Sequence, residues 1–422
     1  MRILIHGINF VPELTGIGKY TGEMAQWLAA RGHQVKVVTA PPYYPQWRVG
    51  DGYSGRRWSR ECRTFAGGGR IEVIRCPLWV PRVPGGMRRL LHLASFVLAS
   101  LPVMLAQIAW RPDLVWVVEP ALLCAPQAWI TARAAGARAW LHVQDFEVDA
   151  AFELGLLRGE RSRRAVLRVE RWLLARFDSV STISPRMVER LLAKGVAPQR
   201  ATLFPNWVDL DRITPQPTAA QGGVNAWRVR LGLGSQHIVA LYSGNMGAKQ
   251  GIEVLSGVAR RLAAYRDIVL VLCGEGAARA SLESKCAGLG NVRFLDLQPL
   301  GELNELLNMA DMHLLPQRAD AADLVMPSKL TGMLASGRPV IAAARAGTAL
   351  GDAVRDCGIV VEPEQPQAMA AAIAALAIDA PRRHALGVAA RLLAEGSLGR
   401  DAVLVPVERA MYALCMAQEP RP

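Results

Sequence analysis

Residues 7–23 read GINFVPELTGIGKYTGE, with Gly16, Gly18 and Gly22 falling just after an apolar run, Arg2–His6, and around the start of an amphipathic one, Ile17–Leu28. A strand, a glycine-rich bend and a helix form the opening unit of a parallel α/β sheet. The spacing Gly16-x-Gly18-x-x-x-Gly22 is one residue longer than the dinucleotide fingerprint, and an eight-residue detour separates Gly7 from Gly16. Backbone N–H groups that open a helix favour an anion in either case. The bend therefore reads as an anion-facing wall or as a plain tight turn.

The same alternation continues outward from this stretch. Strand-like runs fall at Val35–Thr39, Ile71–Arg75, Leu114–Val118, Ala139–Val143, Ser179–Ile183 and Ala201–Phe204. A second series falls at Ile238–Ser243, Ile268–Cys273, Val292–Leu295, Met312–Leu315 and Pro339–Ala342. Strand, helix, strand, repeated, implies parallel sheets, and 422 residues suit two domains. The loop-like stretch ITPQPTAAQGG, residues 213–223, marks the junction. It divides residues 1–212 from residues 224–398, and residues 399–422 follow as a C-terminal helix, Asp401–Ala417, expected to cross back to the first domain, and a tail.

Composition narrows the function classes. Hydrophobic residues make up 51% and charged residues 20%, which excludes extensive disorder. The seven cysteines are scattered and never spaced Cys-x-x-Cys, which fits a reducing compartment and no zinc site. The net charge of +13 is uneven, since residues 1–210 hold 28 Lys and Arg against 16 Asp and Glu. Such a half faces something anionic. No arginine-rich helix or basic-aromatic interleaving points to nucleic acid, whereas a phospholipid surface or lipid phosphate suits it.

No secretory signal opens the chain, so its start reads as cytoplasmic. Leu90–Trp110 holds 21 residues without a formal charge, preceded by Arg82, Arg88 and Arg89. It is nearly long enough to span a bilayer. Pro102, Gln107, His92 and the α/β pattern on both sides favour a buried or surface-lying helix instead.

Five stretches together carry a resemblance: residues 7–47, which end in TAPPYYPQW, then LHVQDFEVDA (141–150), FPNWVD (204–209), YSGNMGAKQGIE (242–253) and MPSKLTGMLASGRPVI (326–341). In collinear order they resemble the family-4 glycosyltransferases, and more narrowly the colanic-acid type of fucosyltransferase. The resemblance implies the GT-B arrangement, two facing Rossmann-like domains with doubly wound parallel sheets. It implies a retaining transfer from a nucleotide sugar, with GDP-fucose as the expected donor, and no metal. The implied acceptor is a polyprenyl-diphosphate-linked saccharide at the inner-membrane surface, with the enzyme attached peripherally on the cytoplasmic side.

Carried over residue by residue, the resemblance assigns Lys249 as the cation against the leaving diphosphate, whose charge grows as the glycosidic bond breaks. Asn245 stands where many relatives carry arginine. Gln250 and Gly251 complete that loop. Pro327 suits the first turn of a helix whose N–H groups, with Ser328, Lys329 and Leu330, face phosphate or sugar. The two glutamates usual in the family are replaced by Leu324 and Gly332, leaving Asp323 as the stand-in for ribose contact. Gly274 and Gly276 suit close backbone approach to the nucleotide, and Leu297 and Gln298 its base edge. His142, otherwise a buried and satisfied histidine, is assigned to the transferred sugar. Asp145, with Glu147 and Asp149 in competition, orients or deprotonates the acceptor hydroxyl. Gly16 and Gly18 become the wall against the β-phosphate. A metal-free sugar-nucleotide epimerase of the same architecture and a non-catalytic polysaccharide-assembly protein are the alternatives.

Overall fold

The computed structural model describes residues 1–13, 16–65, 68–82, 85–119, 122–146, 160–218, 221–247, 250–319 and 327–417. The chain divides into two compact units, Met1–Pro205 together with the stretch from Leu404 onward, and Asn206–Val403.

The first unit holds β1 (Arg2–His6), β2 (Gln34–Thr39), β3 (Ser59–Thr64), β4 (Arg70–Arg75), β5 (Leu114–Glu119), β6 (Arg138–Val143), β7 (Ser179–Thr182) and β8 (Ala201–Leu203). They form one sheet in the order β3-β4-β2-β1-β5-β6-β7-β8. All pairings are parallel except that of β3 with β4. Central strands are covered on both faces, which is why β5 reads as an unbroken apolar run and every one of its residues is buried. The edge strand β3, SRECRT, is mostly exposed and charged, so no apolar period announces it. An edge of this composition resists pairing with another chain.

The second unit holds β9 (Ile238–Ser243), β10 (Ile268–Cys273), β11 (Val292–Leu295), β12 (Met312–Leu315), β13 (Val340–Ala343) and β14 (Gly358–Val361). Their order is β11-β10-β9-β12-β13-β14, all parallel. The strand order of each unit reverses beside its first strand, between β1 and β5 and between β9 and β12. In doubly wound sheets, ligands bind outside the carboxyl ends of the strands at such a reversal.

Two helices matter for the site. Helix α1 (Gly16–Ala30) follows the first bend. Helix α2 (Gly86–Ala106) starts four residues earlier than the apolar run suggests, so Arg88 and Arg89 lie inside its first turn rather than before it. It packs through a stripe of Leu93, Phe96, Ser100 and Met104. Its other side exposes Met87, Leu90, Leu91, Leu98, Leu101 and Leu105. By length and composition it is apolar enough to cross a membrane. The last helix, Arg400–Met416, joins the first unit from Leu404 on. There Glu408 accepts from Arg31 Nε and His33 Nε2, each at 2.9 Å.

Candidate functional site

In the second unit, the carboxyl ends of β9 and β12 gather the residues singled out by sequence. Tyr242, buried in β9, donates its hydroxyl to the Asn245 carbonyl at 2.6 Å. Lys329 reaches in from the start of the short helix Lys329–Ala335, and its Nζ donates to the Tyr242 hydroxyl at 2.8 Å. Nζ also lies 4.1 Å from the centre of the tyrosine ring. A Cβ on Gly244 would stand 3.3 Å from that ammonium, so the lysine runs against the loop backbone beside Asn245. Loss of hydration lowers the Lys329 pKa to about 7. Burial, with Glu253 adding to it, pushes the Tyr242 phenol above its ordinary range.

The neighbouring loops explain their glycines. A Cβ on Gly274 would meet the Gly244 carbonyl oxygen at 1.9 Å, and one on Gly276 the Met246 carbonyl at 2.5 Å. Both have positive φ, 146° and 148°. The close backbone approach expected here is thus to the β9 loop of the chain itself. Gly251, φ 62°, packs against Gln317 and Arg318 beyond β12. Gln250 lies against Gly247 in the same loop. Arg279 Nη1 donates to the Gly274 carbonyl at 2.9 Å and pairs with Asp296 at 2.7 Å, fixing the stretch that holds Leu297 and Gln298. Gln298 Nε2 donates to the Asp296 carbonyl at 2.8 Å, and Leu297 and Gln298 are half-buried.

Two expectations about the Lys329 helix need correction. Pro327 precedes the helix rather than occupying its first turn, and Ser328 holds the N-cap position without a side-chain capping bond. The Leu330 side chain is buried in the apolar core, so its side chain is not available to a ligand. Lys249, Asp323 and Leu324 lie outside the described residues.

In the first unit, the glycine bend holds the chain's own loop. A Cβ on Gly22 would fall 2.2 Å from Val11 Cγ1, and one on Gly18 would fall 2.8 Å from Glu13 Oε2. The space beside Gly18 is therefore filled by Glu13, while that beside Gly16, φ 61°, is open. Glu13 escaped the sequence reading. It is buried, its Oε1 accepts from the backbone N–H groups of Tyr43 and Tyr44 at 3.0 and 3.1 Å, and its Oε2 accepts from Asn9 at 2.9 Å. Burial raises its pKa, against the pull of these hydrogen bonds and of Arg75. A lone acid in an apolar first loop was the available signal.

His142, next to last in β6, lies in a buried cluster of rings, 4.8 Å from Phe204 and 5.4 Å from Trp116 by centroids. Gln144 Nε2 stands 3.0 Å from Nε2, which must accept, so Nδ1 donates to Ser181 Oγ at 2.8 Å. Burial drives the pKa down to about 3, so the ring is neutral. Both nitrogens are satisfied inside the unit. Asp145, three residues on, is half-buried. Glu147 and Asp149 lie outside the described residues.

Residues 15–207 match a family described as glycosyl transferase 4-like domain, and residues 237–379 match glycosyl transferases group 1. The chain is 43% identical over 414 residues to a protein of Escherichia coli (strain K12) named as a colanic acid biosynthesis glycosyl transferase, WcaI, covering 96% of this chain and 98% of that one. The chain belongs to the family-4 glycosyltransferases. As a member of that family it uses a nucleotide-sugar donor.

The glycosyltransferase is also 26% identical over 410 residues to a GDP-mannose-dependent alpha-(1-6)-phosphatidylinositol monomannoside mannosyltransferase of Mycobacterium tuberculosis (strain ATCC 25618 / H37Rv), covering 92% of each chain. Among solved structures, a sucrose-phosphate synthase from Thermosynechococcus elongatus aligns with TM-score 0.75 at 20% identity, covering 99% of this chain and all of that one. WaaG, a glycosyltransferase involved in lipopolysaccharide biosynthesis, aligns at 0.65 and 18%, covering 98% and 99%. These likenesses establish the GT-B fold.

Proposed function

We propose that this glycosyltransferase moves fucose from GDP-fucose, with retention of configuration and without a metal, to a polyprenyl-diphosphate-linked saccharide on the cytoplasmic face of the inner membrane, in exopolysaccharide synthesis. The observation that carries the reading is the placement of Lys329 at the β9/β12 reversal, beside the Asn245 backbone. Asn245 lacks the charge that many relatives supply there, and Lys329 brings an ammonium to the same loop from another element. With Lys249 it stabilises the diphosphate as negative charge builds on leaving. Asp145 orients the acceptor hydroxyl. His142, its nitrogens occupied, positions Gln144 and the following Asp145 rather than exchanging a proton.

Support for the lipid acceptor comes from the basic first half and from the exposed leucines of α2, which suit a helix lying in the membrane interface. The mannosyltransferase relative is named for a GDP-sugar and a lipid-borne glycan. The test is turnover with a panel of GDP-, UDP- and dTDP-sugars on a short-chain polyprenyl-diphosphate-glucose. Release of GDP with fucose transferred to the lipid supports the reading. An epimer of the free nucleotide sugar formed without acceptor, or calorimetry showing no nucleotide-sugar binding by folded protein, overturns it.

A further inference from the structure

The first unit contains an open cavity of about 750 Å³ between the stretch Trp47–Arg56, residues 77–82 and Ser95 of α2. Three aromatic residues wall it, Trp47 and Tyr53 with rings packed on neighbouring side chains and Trp79 with its backbone held. Trp47 keeps φ at 52°, in the left-handed region that a bulky residue rarely adopts. Its ring lies 5.6 Å from that of Tyr43 and 5.3 Å from that of His92. Trp79 is held through its backbone, the main-chain N–H donating to Ser95 Oγ at 3.0 Å and the carbonyl accepting from His92 Nδ1 at 2.7 Å. Tyr53 carries the Arg75 guanidinium 4.7 Å from its ring centre.

Two of the three arginines that line it are uncommitted among the described residues. Arg56 and Arg82 are exposed and make no side-chain hydrogen bond or ion pair among the described residues. Arg48 has only Asp51, 3.5 Å away and almost fully exposed. Fixed aromatic faces suit the apolar faces of a sugar ring, and free guanidinium groups suit phosphate oxygens.

One side of the cavity continues into apolar surface. Trp79 is 47% exposed at the rim, and Trp58, 56% exposed, is anchored on α2 through its Nε1 to the Ala99 carbonyl at 3.2 Å. The exposed leucines of α2 follow. Exposed leucines and tryptophans, arginines and an aromatic-walled cavity thus adjoin α2 on one unit, the kinds of surface that suit the lipid chain, the diphosphate and the sugar of a lipid-linked saccharide.

We propose that this cavity receives the diphosphate-saccharide end of a lipid-borne molecule whose chain lies along the exposed face of α2. The proposal rests on the lipid-acceptor reading above and names where that acceptor sits.

The experiment is vesicle flotation without donor, so that its outcome is independent of turnover. Phosphatidylcholine vesicles carry either a short-chain polyprenyl-diphosphate-glucose or phosphatidylglycerol at equal surface charge. Arg56→Gln/Arg82→Gln is expected to lower affinity for the diphosphate-glucose vesicles about tenfold, the scale of lost charge-assisted hydrogen bonds. Its affinity for phosphatidylglycerol vesicles should change less than about threefold. Trp79→Ala should weaken binding to the diphosphate-glucose lipid more than to the same lipid without glucose. Leu98→Glu, in α2, should weaken every vesicle type. Equal losses on both lipids from the arginine pair would assign those residues to general headgroup attraction, and unchanged binding would leave the cavity without this ligand. Either result overturns the proposal. Strong, cavity-dependent binding by a protein that transfers no sugar would keep it and reject the transfer reading instead. Melting curves on each variant exclude misfolding as the cause.

Discussion

Lys329 donates to the hydroxyl of Tyr242 at 2.8 Å across 87 residues of sequence, and that hydroxyl in turn donates to the Asn245 carbonyl. The arrangement sets the ammonium beside a loop that would otherwise lack charge at Asn245, but in a place where its own hydration is lost. A lysine whose folded pKa falls to about 7 is less protonated in the folded than in the unfolded chain between there and its ordinary 10.5. Stability therefore rises as pH increases through that window, and the full cost is felt below it.

Lys329→Met should accordingly stabilise the unliganded protein at pH 6, by about 1–3 kcal/mol once incomplete burial is allowed for. The gain should shrink toward pH 10. Thermal melts across pH check this, and a constant offset would show that the lysine is hydrated.

Diphosphate binding works in the opposite direction. Because the charged ammonium attracts phosphate, affinity for GDP should be highest below pH 7 and decline above it, and in Lys329→Met the affinity should be lower and the slope lost. Titration calorimetry at several pH values reads both. Tyr242→Phe keeps the ring but removes the acceptor, so GDP affinity should fall less than in the methionine variant.

Lys249→Ala is expected to reduce turnover by about two to three orders of magnitude, the scale of removing one preorganised charge from a transition state. Folding should be unchanged. Turnover within about threefold of wild type would remove Lys249 from the cation role and leave it to Lys329, with Arg318 as the second candidate.

His142 and Asp145 separate by measurement. His142→Ala removes the ring's bonds to Ser181 and Gln144 and opens a gap beside Trp116 and Phe204, so it should cost about 1–3 kcal/mol of stability along with activity. Asp145→Asn should leave the melting curve alone while transfer falls. Equal melting losses in both would make the pair purely structural.

Gly22→Ala places a methyl 2.2 Å from Val11 Cγ1 and should destabilise the first unit by about 1–3 kcal/mol. Val11→Ala should recover part of that loss in the double variant. Independent effects of the two substitutions would show that loop and helix are not packed as described.

The sequence made the central strands legible because both faces of β5, β6, β9 and β10 are covered, which leaves apolar runs. The edge strand β3 and the four-residue β14 were missed. The first is charged along its length, and the second, GIVV, is too short to show a period. Around the site, glycines marked the tight places but not what fills them. Gly18 and Gly22 accommodate Glu13 and Val11, which no spacing rule foretells. The Tyr242–Lys329 bond was invisible because nothing in a strand tyrosine points to a lysine on a distant helix. Nor did a position at a strand end reveal that Trp116 and Phe204 close over His142.

The attachment of the last helix to the first unit has a consequence for biosynthesis. Glu408, which accepts from Arg31 and His33, leaves the ribosome some 375 residues after them. At roughly 5–20 residues per second, about 20–75 seconds pass before that partner exists. Through this interval His33 waits without its carboxylate. The nascent first unit must persist as an unfinished body while the second is made, and a truncation before Leu404 would leave it permanently in that state.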